Sequence, residues 1–295
     1  MFIIKHKKIF VTISALLVLA SLVVIFTKGL RYGIEFRGGS VLEVAYQNRP
    51  DIGTMKSILQ QNGMDAQVQP YGENAYLFKT EFLSEDERQS LVHTVATPYE
   101  GKVEKFNSIG PSVGKELRTK ALYAILFVSL GIVLFVAYAF RHVSKPVSSW
   151  KYGVVAVIAL LHDIIIPVGI LTLMGTEIDT LYVVGLLSIL GLSVNDTIVV
   201  FDRIRENLKY NQETKIREPF DKLVGRAITS TLARSLFTSL TLIVVLISLY
   251  FYGPVATRTL SLVLLLGTIV GTYSSIFLAS PLLTFIADEE KTTHK

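Results

Sequence analysis

Long apolar runs alternate with polar segments along this chain. Six runs are long and apolar enough to cross a bilayer as helices, since one crossing needs about 20 mainly apolar residues. They cover residues 9–27, 121–140, 153–174, 181–201, 236–252 and 260–286, and we number them spans one to six. This pattern predicts a polytopic α-helical membrane protein.

The polar segment 28–120, between spans one and two, has the periodicities of a small α+β domain. A helix is expected over 51–62, and a second one after the capping box formed by Ser84 and Glu87. Strands are expected over 41–47, 65–71, 74–80 and 102–106. The resulting β-α-β-β-α-β order predicts a ferredoxin-like fold, which hosts many functions and therefore identifies none.

These patterns divide the chain into four parts. We expect the amino terminus and span one in 1–27 and the ferredoxin-like domain with its flanking connections in 28–120. A five-helix membrane region follows in 121–286, and a short tail in 287–295.

The distribution of cations predicts the orientation of the spans. Lys and Arg concentrate on the cytoplasmic side of membrane proteins. Here they fall on one face, in three groups: Lys5, Lys7 and Lys8; Arg141, Lys145 and Lys151; and the loop 203–226. Both termini are therefore expected in the cytoplasm, with 28–120 on the opposite side of the membrane.

Composition agrees with a membrane protein and removes some kinds of site. Apolar residues make up 51% of the chain, and the mean hydropathy is +0.49. The chain has no cysteine, which excludes disulfides and thiolate metal sites. Span one has the charge polarity of a secretory signal, but its apolar run is longer than a signal core and no small-x-small cleavage site follows. An anchor is expected instead.

Asp196 is the main candidate for chemistry, because it lies inside span four. Placing an ionisable side chain in a bilayer costs roughly 2.5–3.5 kcal/mol, so such a residue suggests a functional site. Arg234, near the start of span five, is expected to share a buried polar site with Asp196. A structural ion pair, or an Arg234 that extends to the headgroups, is the alternative. Asn195 is expected either to hydrogen-bond the carboxylate or to hold helices together.

His162 and Asp163 in span three are weaker candidates for proton coupling. Histidine titrates near neutral pH and often relays protons. A His–Asp pair that only holds helices together is an equally good interpretation. Pro167 follows and is able to kink this helix.

Other polar and small residues have structural explanations beside functional ones. The charges that follow span four either anchor the span or contact a partner; they are Asp202, Arg203, Arg205 and Glu206. Gly267 and Gly271 predict close helix packing in span six. Pro111 and Gly114 predict a packed or hinged connection into span two. The glycine-rich segment 33–40 lacks the Lys-Ser/Thr of a phosphate loop, so we expect a tight turn with positive φ and no helix.

Six segments together resemble one family. They are GIEFRGGS at 33–40, IGPSVGKEL at 109–117, LLHD at 160–163, NDTIVVFDRIREN at 195–207, TLARSLFTS at 231–239 and VGTYSSIFLASPLL at 270–283. In this order, on a frame of six spans, the chain closely resembles the SecF subunit family of the Sec protein-export machinery, within the resistance-nodulation-division superfamily. The resemblance covers nearly the whole chain.

The resemblance implies a subunit that pairs with SecD in the bacterial inner membrane. Such a subunit works behind the SecYEG channel and uses the proton gradient to assist export of unfolded polypeptides. It implies that Asp196 and Arg234 line the proton path, and that YajC and YidC are further partners. No cofactor, metal or nucleic acid is implied, and the lipid bilayer is the remaining partner.

Three other functions are alternatives to this one. An intramembrane protease would need a GxSxG or HExxH motif, and neither is present. Half of an exporter of the same superfamily would need a second half and a large outer pocket. A scaffold that only completes SecD is the strongest rival, since it needs no titration of Asp196.

Overall fold

The computed structural model describes residues 2–139 and 147–287. Within those residues, six helices are long and apolar enough to cross a membrane. The prediction of a polytopic helical membrane protein is therefore confirmed. Arg141, Lys145 and all but the first residue of the predicted tail 287–295 lie outside the described residues.

The amino-terminal part contains two helices followed by a mixed α+β segment. Its elements are α1 (Phe2–Lys5), α2 (Lys7–Lys28), α3 (Ile34–Arg37), β1 (Gly39–Ala45), α4 (Ile52–Gln61), β2 (Ala66–Tyr71), β3 (Ala75–Thr80), α5 (Glu85–Val95) and β4 (Lys102–Ile109). A short 3₁₀ turn, Thr97–Tyr99, precedes β4.

The remainder of the described chain is helical. Its elements are α6 (Pro111–Ala139), α7 (Ser149–Leu173), α8 (Thr180–Glu213), α9 (Phe220–Tyr252), α10 (Arg258–Ser274) and α11 (Ser280–Ile286). A 3₁₀ turn, Val255–Thr257, precedes α10, and a π-helical segment, Ser275–Ala279, joins α10 to α11. Helices α8 and α9 extend well beyond predicted spans four and five, because polar residues continue the helices past the apolar runs.

The chain forms two compact units. The sheet unit contains Arg31–Leu122 and the short segment Glu177–Thr180. The helical unit contains Met1–Leu30, Tyr123–Thr176 and Leu181–Lys295.

The sheet unit is a four-stranded antiparallel sheet with α4 and α5 packed on it. The strand order is β2-β3-β1-β4, which is the ferredoxin-like arrangement that the sequence predicts. Its core is apolar; Leu42, Val44, Phe78, Met55 and Val95 are fully buried. Burial of apolar side chains between sheet and helices is the main stabilising term.

Local sequence signals define the amino-terminal ends of α4 and α5. Ser84 and Glu87 form the predicted capping box at α5: the Ser84 backbone N–H donates to Glu87 Oε2 at 2.8 Å. At α4, the Asp51 carboxylate accepts from the Gly53 N–H at 2.7 Å. These contacts satisfy backbone donors that have no partner within the helix.

The glycine-rich entry to the sheet differs from its prediction. Gly38 and Gly39 have φ of 84° and 142°, as the tight turn requires, but the expectation of no helix is wrong, since α3 forms one turn before them. Contacts far along the chain stabilise this turn. A side chain on Gly38 would lie 2.7 Å from Pro111 Cα, and one on Gly114 would lie 2.7 Å from the Gly38 nitrogen.

Pro111 and Gly114 both lie at the start of α6. Proline suits the first helical position because it needs no N–H partner there. Helix α6 runs through Gly114 without a break, and both residues pack on the glycine-rich entry. Their packing is thus observed, while hinge motion stays a prediction.

The helical unit buries α7 and the last span, residues 255–286, to the same high degree, and it buries α6 least. Its core includes Tyr152, Val155, Phe201, Ile228 and Ile276, contributed by four of its segments. Many apolar side chains of α6 and α9 are exposed on this single chain, including Phe127, Phe135, Phe237 and Val244. Apolar residues on a membrane protein are expected to contact lipid or another subunit.

Candidate functional site

Asp163 of α7 lies at the centre of a buried polar group. Its side chain is fully buried and accepts three hydrogen bonds. His162 Nδ1 lies 2.8 Å from Oδ1, Ser274 Oγ of α10 donates to Oδ2 at 2.7 Å, and Ser193 Oγ of α8 donates to the same oxygen. We call these four residues the Asp163 cluster. The cluster joins three helices and satisfies a carboxylate that would otherwise be costly to bury.

His162 extends the Asp163 cluster toward α2. Its ring stacks on Tyr273 at a centroid distance of 6.1 Å, and the Tyr273 hydroxyl donates to the Phe10 carbonyl at 3.3 Å. The His162 side chain is 3% exposed, and its Nε2 has no hydrogen-bond partner among residues 2–139 and 147–287. Packing of the His162 ring on Tyr273 therefore links the Asp163 cluster to α2.

Two irregularities of the backbone adjoin the Asp163 cluster. Pro167 cannot donate a backbone hydrogen bond to the Asp163 carbonyl four residues earlier, although α7 continues through it without a break. The π-helical segment begins directly after Ser274, and Ser280 Oγ donates to the Ser275 carbonyl at 2.8 Å. Such π turns are frequent at functional sites.

Asp196 of α8 has a different environment. It is partly buried and accepts one long hydrogen bond, from Ser239 Oγ of α9 at 3.4 Å. The Thr272 hydroxyl of α10 lies 2.6 Å from Ser239 Oγ. A chain of hydroxyl groups therefore leads from Asp196 into the region of α10 that carries Ser274.

Arg234 does not form the expected buried site with Asp196. Its side chain is exposed on the single chain, and no carboxylate of the described residues lies within 4.0 Å of its guanidinium. The reason is the rotation of α9 about its axis. Ser235 and Ser239 are buried, so the neighbouring Arg234 lies on the exposed side of the helix.

Asn195, next to Asp196 on α8, has an exposed side chain. Within the described part of the chain it donates no hydrogen bond to Asp196.

Gly267 and Gly271 bring α10 close to α8. A side chain on Gly267 would collide with Ile189, and one on Gly271 would lie 3.3 Å from Ser193 Cβ and 3.6 Å from Asp163 Oδ2. Close approach at these glycines is what allows Ser274 to reach Asp163.

The charges after span four pair mostly with one another. Arg203 Nη1 lies 2.7 Å from Glu206 Oε2, and Arg205 pairs with Asp202. Arg203 Nε also donates to Ser230 Oγ of α9 at 3.2 Å. These contacts stabilise the extension of α8 beyond the apolar run.

Sequence reasoning missed the hydroxyl groups of the site. Ser193, Ser239, Thr272 and Ser274 all lie in or beside the family-like segments, but isolated serines and threonines in a span give no signal of their own. As for metals, residues 2–139 and 147–287 contain no group of three or more His, Asp or Glu side chains suited to binding one.

Comparison with protein families identifies the chain. The family described as protein export membrane protein SecD/SecF, C-terminal, matches residues 89–289, and the SecD/SecF GG motif matches 23–48. The protein translocase subunit SecF of Thermobaculum terrenum is 37% identical, over 95% of this chain and 92% of that protein. The SecF of Desulfurispirillum indicum is 38% identical, over 93% and 88%.

Solved structures agree. The crystal structure of SecDF from Thermus thermophilus superposes with a TM-score of 0.82 at 34% identity, over 96% of this chain. The super-membrane-facing form of SecDF gives a TM-score of 0.69 at 32% identity. The chain spans 38% of the length of either SecDF chain. With its six spans and ferredoxin-like unit, this multi-pass membrane protein belongs to the SecF family of protein translocase subunits.

Proposed function

We propose that this chain is the SecF subunit of a SecDF complex that uses the proton-motive force to assist protein export through SecYEG. Its relatives are named translocase subunits, which supports a transport role and not an enzymatic one. The Thermus thermophilus relative is named SecDF, and this chain matches 36% of it. A SecD half is therefore the partner that the exposed faces of α6 and α9 would contact.

The orientation proposed for the chain follows from its charges. The cytoplasmic face carries Lys7, Lys151 and the extensions of α8 and α9, and the segment 28–120 lies on the outer face of the bacterial inner membrane. Residues 287–295 form the cytoplasmic tail.

Asp196 is the observation that carries the mechanism. Its carboxylate has one long hydrogen bond in this chain, and Arg234 and Asn195 are exposed beside it. A carboxylate held this loosely is free to change its protonation state without loss of a buried network. Protonation removes its charge, which weakens attraction to Arg234 or to a partner's cation and permits the helices to move.

The driving force available for this step is adequate. Moving one charge through 100 mV releases roughly 2.3 kcal/mol, which is several times the thermal energy. Coupled to movement of the segment 28–120, repeated steps would keep an emerging unfolded polypeptide from sliding back.

The test is pulse-chase export of a secreted reporter in cells depleted of the native subunit. The cells are complemented with wild type, Asp196→Asn or Glu213→Gln. Glu213 is a matched control, because it is an exposed carboxylate on the same helix, beyond the apolar run. We expect Asp196→Asn to abolish export while SecD still co-purifies, and Glu213→Gln to retain export.

Export at the wild-type rate with Asp196→Asn would contradict the proposal. The chain would then be a scaffold for SecD, which requires the spans but not the carboxylate.

A further inference from the structure

The segment Glu177–Thr180, which we call the strap, joins α7 to α8. The strap lies in the connection between predicted spans three and four. In the structure it belongs to the sheet unit, although the helices on either side of it continue into the helical unit. The first residue of α8, Thr180, therefore belongs to the sheet unit, whereas α8 from Leu181 onward belongs to the helical unit.

Backbone hydrogen bonds hold the strap to the entry of the sheet unit. The Gly33 N–H donates to the Ile178 carbonyl at 2.9 Å, and the Ile178 N–H donates to the Arg31 carbonyl at 2.7 Å. They form a parallel bridge between Tyr32 and Ile178. A side chain on Gly33 would lie 2.7 Å from Glu35 Oε2 and 3.2 Å from the Ile178 carbonyl oxygen, so glycine permits the approach of both groups.

An ion pair adds a second attachment. Lys79 Nζ of β3 lies 2.6 Å from Glu177 Oε2, with side chains 16% and 35% exposed. Because both groups are partly shielded from water, the pair is stronger than a fully exposed one. The strap is therefore attached both to the entry segment and to a central strand of the sheet.

Charged groups surround a third residue, Glu35. Partial burial raises the pKa of Glu35, and the neighbouring carboxylates Asp179 and Glu177 add to this effect. Its own backbone hydrogen bond and Lys79 oppose it. Glu35 and Lys79 thus lie among the charges of the strap.

We propose that the strap is a mechanical link through which displacement of the sheet unit moves α8, and that Lys79, Glu177 and Gly33 are coupling residues. Helix α8 starts at Thr180 and carries Asp196 about four turns further on, and a helix is stiff along its axis. The inference rests on the proposed function, because it assigns the path between protonation and movement.

The test uses the full chain co-produced with SecD. Lys79→Glu and Glu177→Lys each replace attraction by repulsion, and the double variant restores the pair with its charges exchanged. Three quantities are measured: reporter export, proton flux in vesicles, and co-purification of SecD. Gly33→Val is a second route, since it displaces the strap without changing a charge.

Each single variant is expected to slow export about threefold to tenfold, the range typical of changes along a coupling path. Proton flux and SecD co-purification should persist, because the site at Asp196 is intact. The double variant should return export to within about twofold of wild type. Gly33→Val should slow export as the single variants do.

Three outcomes would overturn the inference. In the first, the single variants export at the wild-type rate while Asp196→Asn still blocks export. The strap then does not transmit movement, and the proposed function is unaffected. Loss of SecD co-purification in the single variants makes the pair an assembly contact. Export at the wild-type rate by Asp196→Asn would contradict the proposed function. The strap would then have no proton-driven movement to transmit.

Discussion

Asp163 and Asp196 are both carboxylates of apolar helices, yet their surroundings differ in kind. Asp163 is fully buried and has three hydrogen-bond donors from three helices. Asp196 is partly buried and has one donor at 3.4 Å. A satisfied buried carboxylate holds helices in place, whereas a loosely held one next to an exposed arginine is available for exchange of a proton. We therefore expect Asp163 to hold the helices together and Asp196 to exchange protons.

We expect the largest effect from replacing Asp163. Asp163→Leu removes the acceptor for His162, Ser193 and Ser274 and leaves buried donors unpaired, which is expected to cost about 3–5 kcal/mol of stability. We therefore expect little folded protein to accumulate, measured by membrane-fraction level and size-exclusion profile.

Asp196→Asn is the matched variant for this experiment and should accumulate normally. Normal accumulation of Asp163→Leu with lost export would reverse the assignment and make Asp163 the working carboxylate.

A smaller effect is expected from adding a side chain at Gly271, where α10 packs on α8 beside the Asp163 cluster. Gly271→Ala places a methyl group 3.3 Å from Ser193 Cβ, so α8 and α10 must separate slightly. We expect a destabilisation of about 1–3 kcal/mol, measured as a lower midpoint of thermal unfolding in detergent.

Gly131→Ala in α6 is the control, because a side chain there would meet nothing within 4 Å. It should leave the midpoint unchanged or raise it, since alanine favours a helix. Equal midpoints for the two variants would show that the close approach at Gly271 contributes nothing to the cluster.

Glu35 is a third carboxylate, and it lies in the sheet unit. We expect the smallest effect on stability from replacing it. Burial raises its folded-state pKa above the ordinary 4.5, so the folded chain binds this proton more tightly than the unfolded chain. Between 4.5 and the folded pKa, stability consequently falls as pH rises. Glu35→Gln should remove that part of the pH dependence.

The measurement is the unfolding midpoint of the full chain from pH 4 to pH 7. Above the folded pKa, the variant should unfold at a temperature higher by less than about 2 °C. A wild-type slope that persists in Glu35→Gln would assign the pH dependence to another group.

Much of this architecture is predictable from local sequence. The six apolar runs, the capping box at Ser84 and the β-α-β-β-α-β order each depend on neighbouring residues, and the structure contains all three. The one-turn helix α3 is not predictable in this way, since contacts with Pro111 and Gly114 stabilise it from far along the chain.

The candidate site shows the same limit. Asp163 and Asp196 stand out because a carboxylate in an apolar run is rare. Which of them is satisfied depends on Ser193, Ser239 and Ser274, and on the glycines that let the helices approach. These are tertiary facts, and a serine in a span has the same appearance in the sequence whether it faces a carboxylate or lipid. The exposure of Arg234 depends likewise on how α9 is rotated.

The π-helical segment Ser275–Ala279 changes the angular phase of the last span. Each residue of an α-helix advances about 100° around the axis, and a π turn accommodates an additional residue. A helical wheel drawn straight through 258–286 is therefore out of phase beyond the turn. The correct phase is what lets one span present Ser274 to Asp163 and, further along, Thr284 to Lys7 at 2.9 Å.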